Sequence, residues 1–134
     1  MKIMFDSNIL ISAGVFKSKT ILDIVRLIKT DGYTLVLSDT LIGETQRVID
    51  SKLSRYKTNF TEFFKTLDYE VFKVDETVDC DIEIRDPGDK HVILSALQSG
   101  VDILITGDKD FYDRDYRVRV MTPAVFLKQF GKKL

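Results

Sequence analysis

Asp86-Pro87-Gly88-Asp89-Lys90-His91-Val92-Ile93-Leu94-Ser95-Ala96-Leu97-Gln98-Ser99-Gly100 runs directly into Val101-Asp102-Ile103-Leu104-Ile105-Thr106-Gly107-Asp108. The first part reads as a helix. Asp86 is a capping residue, proline takes the first helical position, Val92, Ile93, Ala96 and Leu97 recur at helical spacing, and Gly100 closes the pattern. The second part reads as a strand. Ile103 to Thr106 is apolar on both faces and ends at Gly107-Asp108, as in a parallel sheet covered by helices.

Working outward, Ile3-Met4-Phe5 is a second such run, ending at Asp6, and Thr34-Leu35-Val36-Leu37 a third, ending at Ser38-Asp39. Glu70 to Val74 and Val118 to Val120 are weaker strand candidates nearer an edge. Amphipathic stretches lie between the runs. Ile21, Leu22, Val25 and Ile28 share one helical face. Leu41, Ile42, Val48, Ile49 and Leu53 follow a cap at Ser38 or Asp39. Phe60, Phe63, Phe64 and Leu67 mark a further helix, and Thr122-Pro123 opens a last one through Val125, Phe126 and Leu127. The alternation predicts an α/β fold: a three-layer α/β/α sandwich with a central, mainly parallel sheet and right-handed crossovers. No repeat or linker divides it, so residues 1–134 read as a single domain. Ligands of such sheets bind beyond the carboxyl ends of the strands.

Composition narrows the function. A chain of 134 residues with 44% hydrophobic residues can bury a core without staples. Its one cysteine, Cys80, excludes an internal disulfide framework and a cysteine-rich zinc site. Cys80 sits in an acidic stretch that disfavours a thiolate nucleophile. One histidine, His91, and no G-x-S-x-G leave a Ser-His-Asp hydrolase unsupported. No phosphate-binding glycine loop is present. No apolar run approaches the roughly 20 residues of a membrane span. Met1 leads straight into Lys2-Ile3, which predicts no signal peptide and a cytoplasmic location.

Acids hold the remaining chemistry. Asp6 and Asp108 each follow an apolar strand run, while Glu44 and Asp89 fall near the starts of predicted helices. If those helices follow strands in the usual way, all four carboxylates open at one edge. Each has an ordinary reading as a turn, cap or solvated residue; their joint placement distinguishes them. Converging carboxylates repel, and a divalent cation resolves the conflict. Oxygen-only ligation favours Mg²⁺ or Mn²⁺, which also hold phosphate. Metal-assisted phosphodiester hydrolysis is the reaction class this predicts.

The same residues resemble a known family. Ile3-Met4-Phe5-Asp6-Ser7-Asn8 resembles the opening strand and first motif of PIN-domain nucleases, and Leu37-Ser38-Asp39-Thr40-Leu41-Ile42-Gly43-Glu44 the second acidic motif. Arg85-Asp86-Pro87-Gly88-Asp89, followed by Ile105-Thr106-Gly107-Asp108-Lys109-Asp110-Phe111, resembles the third and fourth. The likeness spans essentially the whole chain and is strongest to the toxin branch of prokaryotic toxin–antitoxin pairs. It implies Mg²⁺- or Mn²⁺-dependent cleavage of single-stranded RNA, homodimers, and a protein antitoxin as partner. Asp6, Glu44, Asp89 and Asp108 would be the catalytic, metal-binding acids and Asp110 an auxiliary one. Ser7, Asn8 and Thr106 would orient the carboxylates from behind.

A net charge of −1 conceals uneven patterning. Residues 75–90 carry seven acids against Arg85 and Lys90, whereas 109–134 carry seven bases against three acids. Arg47, Lys52 and Arg55 follow Glu44 and would line an RNA-contacting rim, with Tyr56, Phe60 and Tyr112 as candidates for base stacking. Two other functions are open to this pattern. A non-catalytic PIN-like scaffold would bind RNA or protein without metal-dependent turnover. A receiver-like phosphoacceptor also places acids at strand ends, but it needs an adjacent acidic pair near the first strand, which is missing here.

Overall fold

A computed structural model describes residues 1–77, 90–107 and 118–131. Five strands form one parallel sheet: β1 (Lys2–Phe5), β2 (Thr34–Ser38), β3 (Glu70–Phe72), β4 (Ile103–Ile105) and β5 (Arg119–Met121), in the order β3-β2-β1-β4-β5. The helices are α1 (Ser7–Gly14), α2 (Lys19–Thr30), α3 (Asp39–Lys52), α4 (Lys57–Thr66), α5 (Lys90–Ser99) and α6 (Pro123–Phe130), with a short 3-10 turn at Ser54–Tyr56. This is the α/β sandwich the apolar runs predict, with both weaker strands at the edges.

Strand side chains alternate between faces, which splits the core in two. Ile3, Phe5, Leu35, Leu37, Ile103 and Ile105 join one cluster with Leu10, Ile24, Leu41, Phe60 and Phe126 from the helices. Met4, Val36 and Leu104 join the other with Val92, Ile93 and Ala96 of α5. Strands buried on both faces need no polar alternation, so their sequences are continuous apolar runs.

Caps set the helix starts. The Ser38 hydroxyl accepts from the Leu41 amide at 3.1 Å, so Ser38 rather than Asp39 caps α3. Thr122 caps α6 ahead of proline at its first position, accepting from the Val125 amide at 3.0 Å. The Asp86 cap and Pro87 expected for α5 lie outside the described residues; the helix is described from Lys90 onward. Gly100, at φ +68°, ends α5 in the left-handed region that a Cβ disfavours.

One helix is absent from the sequence reading. Ser7–Gly14 forms α1, with Ile9, Leu10, Ile11 and Ala13 all buried. A short helix enclosed on several sides keeps only a narrow polar strip, Asn8 and Ser12, too little for a 3.6-residue period to betray it. Gly14 is what lets it pack: a Cβ there would meet Phe60 Cδ2 at 2.6 Å and Phe63 Cδ2 at 3.0 Å. Phe60 is consequently a core residue, only 1% exposed, and not the base-stacking side chain the sequence allowed.

After β3 the chain is tied to α5 by a reciprocal amide pair. The Asp75 amide donates to Gln98 Oε1 and Gln98 Nε2 donates to the Asp75 carbonyl, each at 2.8 Å. The Asp75 side chain accepts from the Thr77 hydroxyl and amide, which holds its carboxyl below the usual range.

Candidate active site

The strand order grows outward from β1 through β2 to β3, then returns to place β4 on the other side of β1. The order in which strands are added therefore reverses between the parallel strands β1 and β4, the switch point at which such sheets bind ligands beyond their carboxyl ends. Asp6 sits there, one residue past β1. It is 6% exposed. Its amide donates to the Ile105 carbonyl at 3.1 Å, which fixes the backbone against β4.

Both carboxylate oxygens of Asp6 are held. Oδ1 accepts from the Ser7 amide at 2.6 Å and the Ser7 hydroxyl at 3.4 Å. Oδ2 accepts from the Thr106 hydroxyl at 2.8 Å, across the gap between β1 and β4. Asp6 also caps α1, so the positive end of that helix faces its charge. Three donors leave lone-pair capacity on the carboxylate. Asn8 is exposed and makes no side-chain hydrogen bond among the described residues.

A cleft of about 470 Å³ opens beside the start of α3, lined by Asp39, Gly43, Glu44, Arg47, Glu76 and His91. Glu44 is on the second turn of α3, with 37% of its side chain exposed. His91 Nε2 approaches Glu44 Oε2 to 3.2 Å, without the alignment of a hydrogen bond. Glu44 Oε2 and His91 Nδ1 are thus buried atoms with no hydrogen-bond partner among the described residues. Arg47 is exposed and folds back over Gly43, whose missing Cβ would lie 3.4 Å from a guanidinium nitrogen. Lys52 and Arg55 are exposed farther along the chain. His91, which the sequence allowed either as a helix-surface residue or as a neighbour of the cleft, is one of the residues lining it.

The geometry therefore gives two clusters at one sheet edge, Asp6 with Ser7 and Thr106, and Glu44 with His91. Asp89, Asp108 and Asp110 lie outside the described residues, as does Tyr112. Among the described residues, no three His, Cys, Asp or Glu side chains stand close enough to hold a metal ion. What is described nonetheless fits a hard dication: the donors are carboxylate oxygens, and the buried Oε2 of Glu44 lacks a hydrogen-bonding partner among the described residues. A larger cleft, about 720 Å³, lies at the opposite edge near Met1, Asp102 and Arg119 and holds no such cluster. No helix among the described residues is long and apolar enough to cross a membrane.

Residues 2–110 match the family model of the PIN domain. The chain belongs to the PIN domain family. PIN domains are generally nucleases that use divalent metal ions, so the activity class is that of a hydrolase of the nuclease kind. Two solved PIN-like structures show how far the fold extends. VapBC2 from Rickettsia felis, solved bound to a DNA fragment from its promoter, superposes with a TM-score of 0.69 at 13% identity, over 91% of this chain and 98% of that one. The PIN domain of human SMG5 superposes with a TM-score of 0.52 at 14% identity, over 96% and 98%. At such identities the likeness establishes a shared PIN fold. No curated protein matches the chain.

Proposed function

We propose that this PIN domain is a Mg²⁺- or Mn²⁺-dependent endoribonuclease that hydrolyses phosphodiester bonds of single-stranded RNA, and that it is the toxin of a toxin–antitoxin pair. The observation that carries the reading is the buried Asp6 carboxylate, oriented by Ser7 and Thr106 at the point where the strand order reverses. A charge buried so far is costly unless it is hydrogen-bonded and serves a bound cation. Asp6, Glu44, Asp89 and Asp108 would hold the ion, with Asp110 in support. Bound there, the ion supplies an activated water and offsets charge on the phosphate.

The chain's own residues do the rest. Ser7 and Thr106 fix the angle at which Asp6 presents its oxygens. Arg47, one turn after Glu44 on α3, would hold a phosphate of the substrate, and Lys52 and Arg55 would extend that rim. Likeness of the motif blocks to the toxin branch, together with the fold shared with VapBC2, supports a protein antitoxin, and the same branch supports a homodimer. A cytoplasmic location and a single domain over 1–134 belong to the same reading.

Cleavage of a labelled single-stranded RNA by the full chain tests it. Activity should require Mn²⁺ or Mg²⁺, stop on chelation, and vanish in Asp6→Asn and Glu44→Gln while circular dichroism stays native. Undiminished cleavage by Asp6→Asn would overturn it.

A further inference from the structure

Phe16 is the most exposed large hydrophobic residue among those described, at 62% of its surface. It is not isolated. Its ring stands 6.2 Å from that of Tyr56, tilted by 50°, and the Arg55 guanidinium lies 5.5 Å from the centre of the Tyr56 ring. Lys17, next to Phe16, is exposed and holds φ +54°, the one positive φ outside glycine among the described residues. Bases predominate in the two chain segments that carry this aromatic pair. Segments 12–22 and 51–61 contain Lys17, Lys19, Lys52, Arg55 and Lys57 and no acid. Lys19 and Lys57 are committed to Asp23 and Asp50, at 2.8 and 3.1 Å; Lys17, Lys52 and Arg55 have no ion-pair partner among the described residues.

An exposed Phe16 ring beside a half-buried Tyr56, with unpaired cations nearby, matches unpaired nucleotides, whose bases offer π-faces and whose phosphates offer charge. We propose that Phe16, Tyr56 and Arg55 form a stacking platform for a base of single-stranded RNA, with Lys17 on the adjoining phosphate. The proposal rests on the ribonuclease reading and adds a second contact point for the substrate. Its position fits. Asp6 heads α1 and Glu44 lies on the second turn of α3, while the platform joins the far ends of these two packed helices. Ten residues of largely helical chain place Phe16 about 15 Å from Asp6. A strand held at the platform reaches the carboxylates within a few nucleotides.

The test is fluorescence anisotropy of labelled oligouridine on the full chain in EDTA, where no cleavage occurs. Phe16→Ala should weaken binding about tenfold, the loss expected of one base stack, and leave binding to a blunt RNA duplex unchanged. Arg55→Ala should lower the slope of log affinity against log salt by about 0.7, and Phe16→Ala should not. Equal binding by Phe16→Ala and the parent would overturn the platform. So would a fall in oligomeric state on sedimentation of Phe16→Ala, which would assign the rings to a second copy. Asp6→Asn separates the two readings: a variant that binds through Phe16 while the parent never cleaves with Mn²⁺ leaves the platform and removes the nuclease.

Discussion

Asp6 is a charge placed at the end of the central strand, almost out of contact with solvent. Its three hydrogen bonds come from the Ser7 amide and hydroxyl, at the start of α1, and from the Thr106 hydroxyl across the sheet. Thr106→Val keeps the shape and removes one donor. It should lower activity about ten- to a hundredfold, the usual cost of removing a group that orients a ligand, with a matching fall in Mn²⁺ affinity by calorimetry. A change in stability without a change in metal affinity would count against an orienting role. The acid at the strand end and the threonine four residues after Asp102 were both visible as polar residues closing apolar runs. Their contact was not, because nothing local in sequence joins positions 6 and 106.

At the scale of elements, two glycines on helices behave in opposite ways. Gly14 of α1 stands against Phe60 and Phe63 of α4, both buried, so neither ring has room to withdraw. Gly14→Ala should destabilise by about 1–3 kcal/mol, the range for overpacking a close interface. Gly43 of α3 faces only the flexible end of Arg47. Gly43→Ala should stabilise by about 0.5–1 kcal/mol through helix propensity. Ser38→Ala should cost about 1 kcal/mol by removing the cap of α3. Urea denaturation of the three variants checks all three signs. Periodicity and caps revealed α2, α3, α4 and α6 because each has one apolar face. They could not reveal α1, which is buried around most of its circumference, and so Phe16 beyond its end went unnoticed while buried Phe60 was weighed for stacking.

For the whole molecule, the proposed metal-dependent function implies that an ion bound only by the folded chain stabilises it. Mn²⁺ at a hundred times its dissociation constant should add about 2.7 kcal/mol and raise the thermal midpoint, an increment that Asp6→Asn should abolish. A midpoint indifferent to Mn²⁺ in the parent would argue against a resident ion. RNA binding should weaken steeply with salt, since a chain of net charge −1 draws its attraction from local basic segments and not from an overall field.

Run length, apolar content and capping residues are local properties, and they determined the strands, every helix but α1, and the parallel sheet. Tertiary structure alone decided which strands are neighbours. By setting β4 beside β1 it brought the Thr106 hydroxyl to 2.8 Å from a carboxylate one hundred residues away. It also brought His91 of α5 against Glu44 of α3, and Phe16 against Tyr56. Such contacts depend on how whole faces pack and on which crossover each chain segment takes, and no window of sequence short enough to show a period contains both partners.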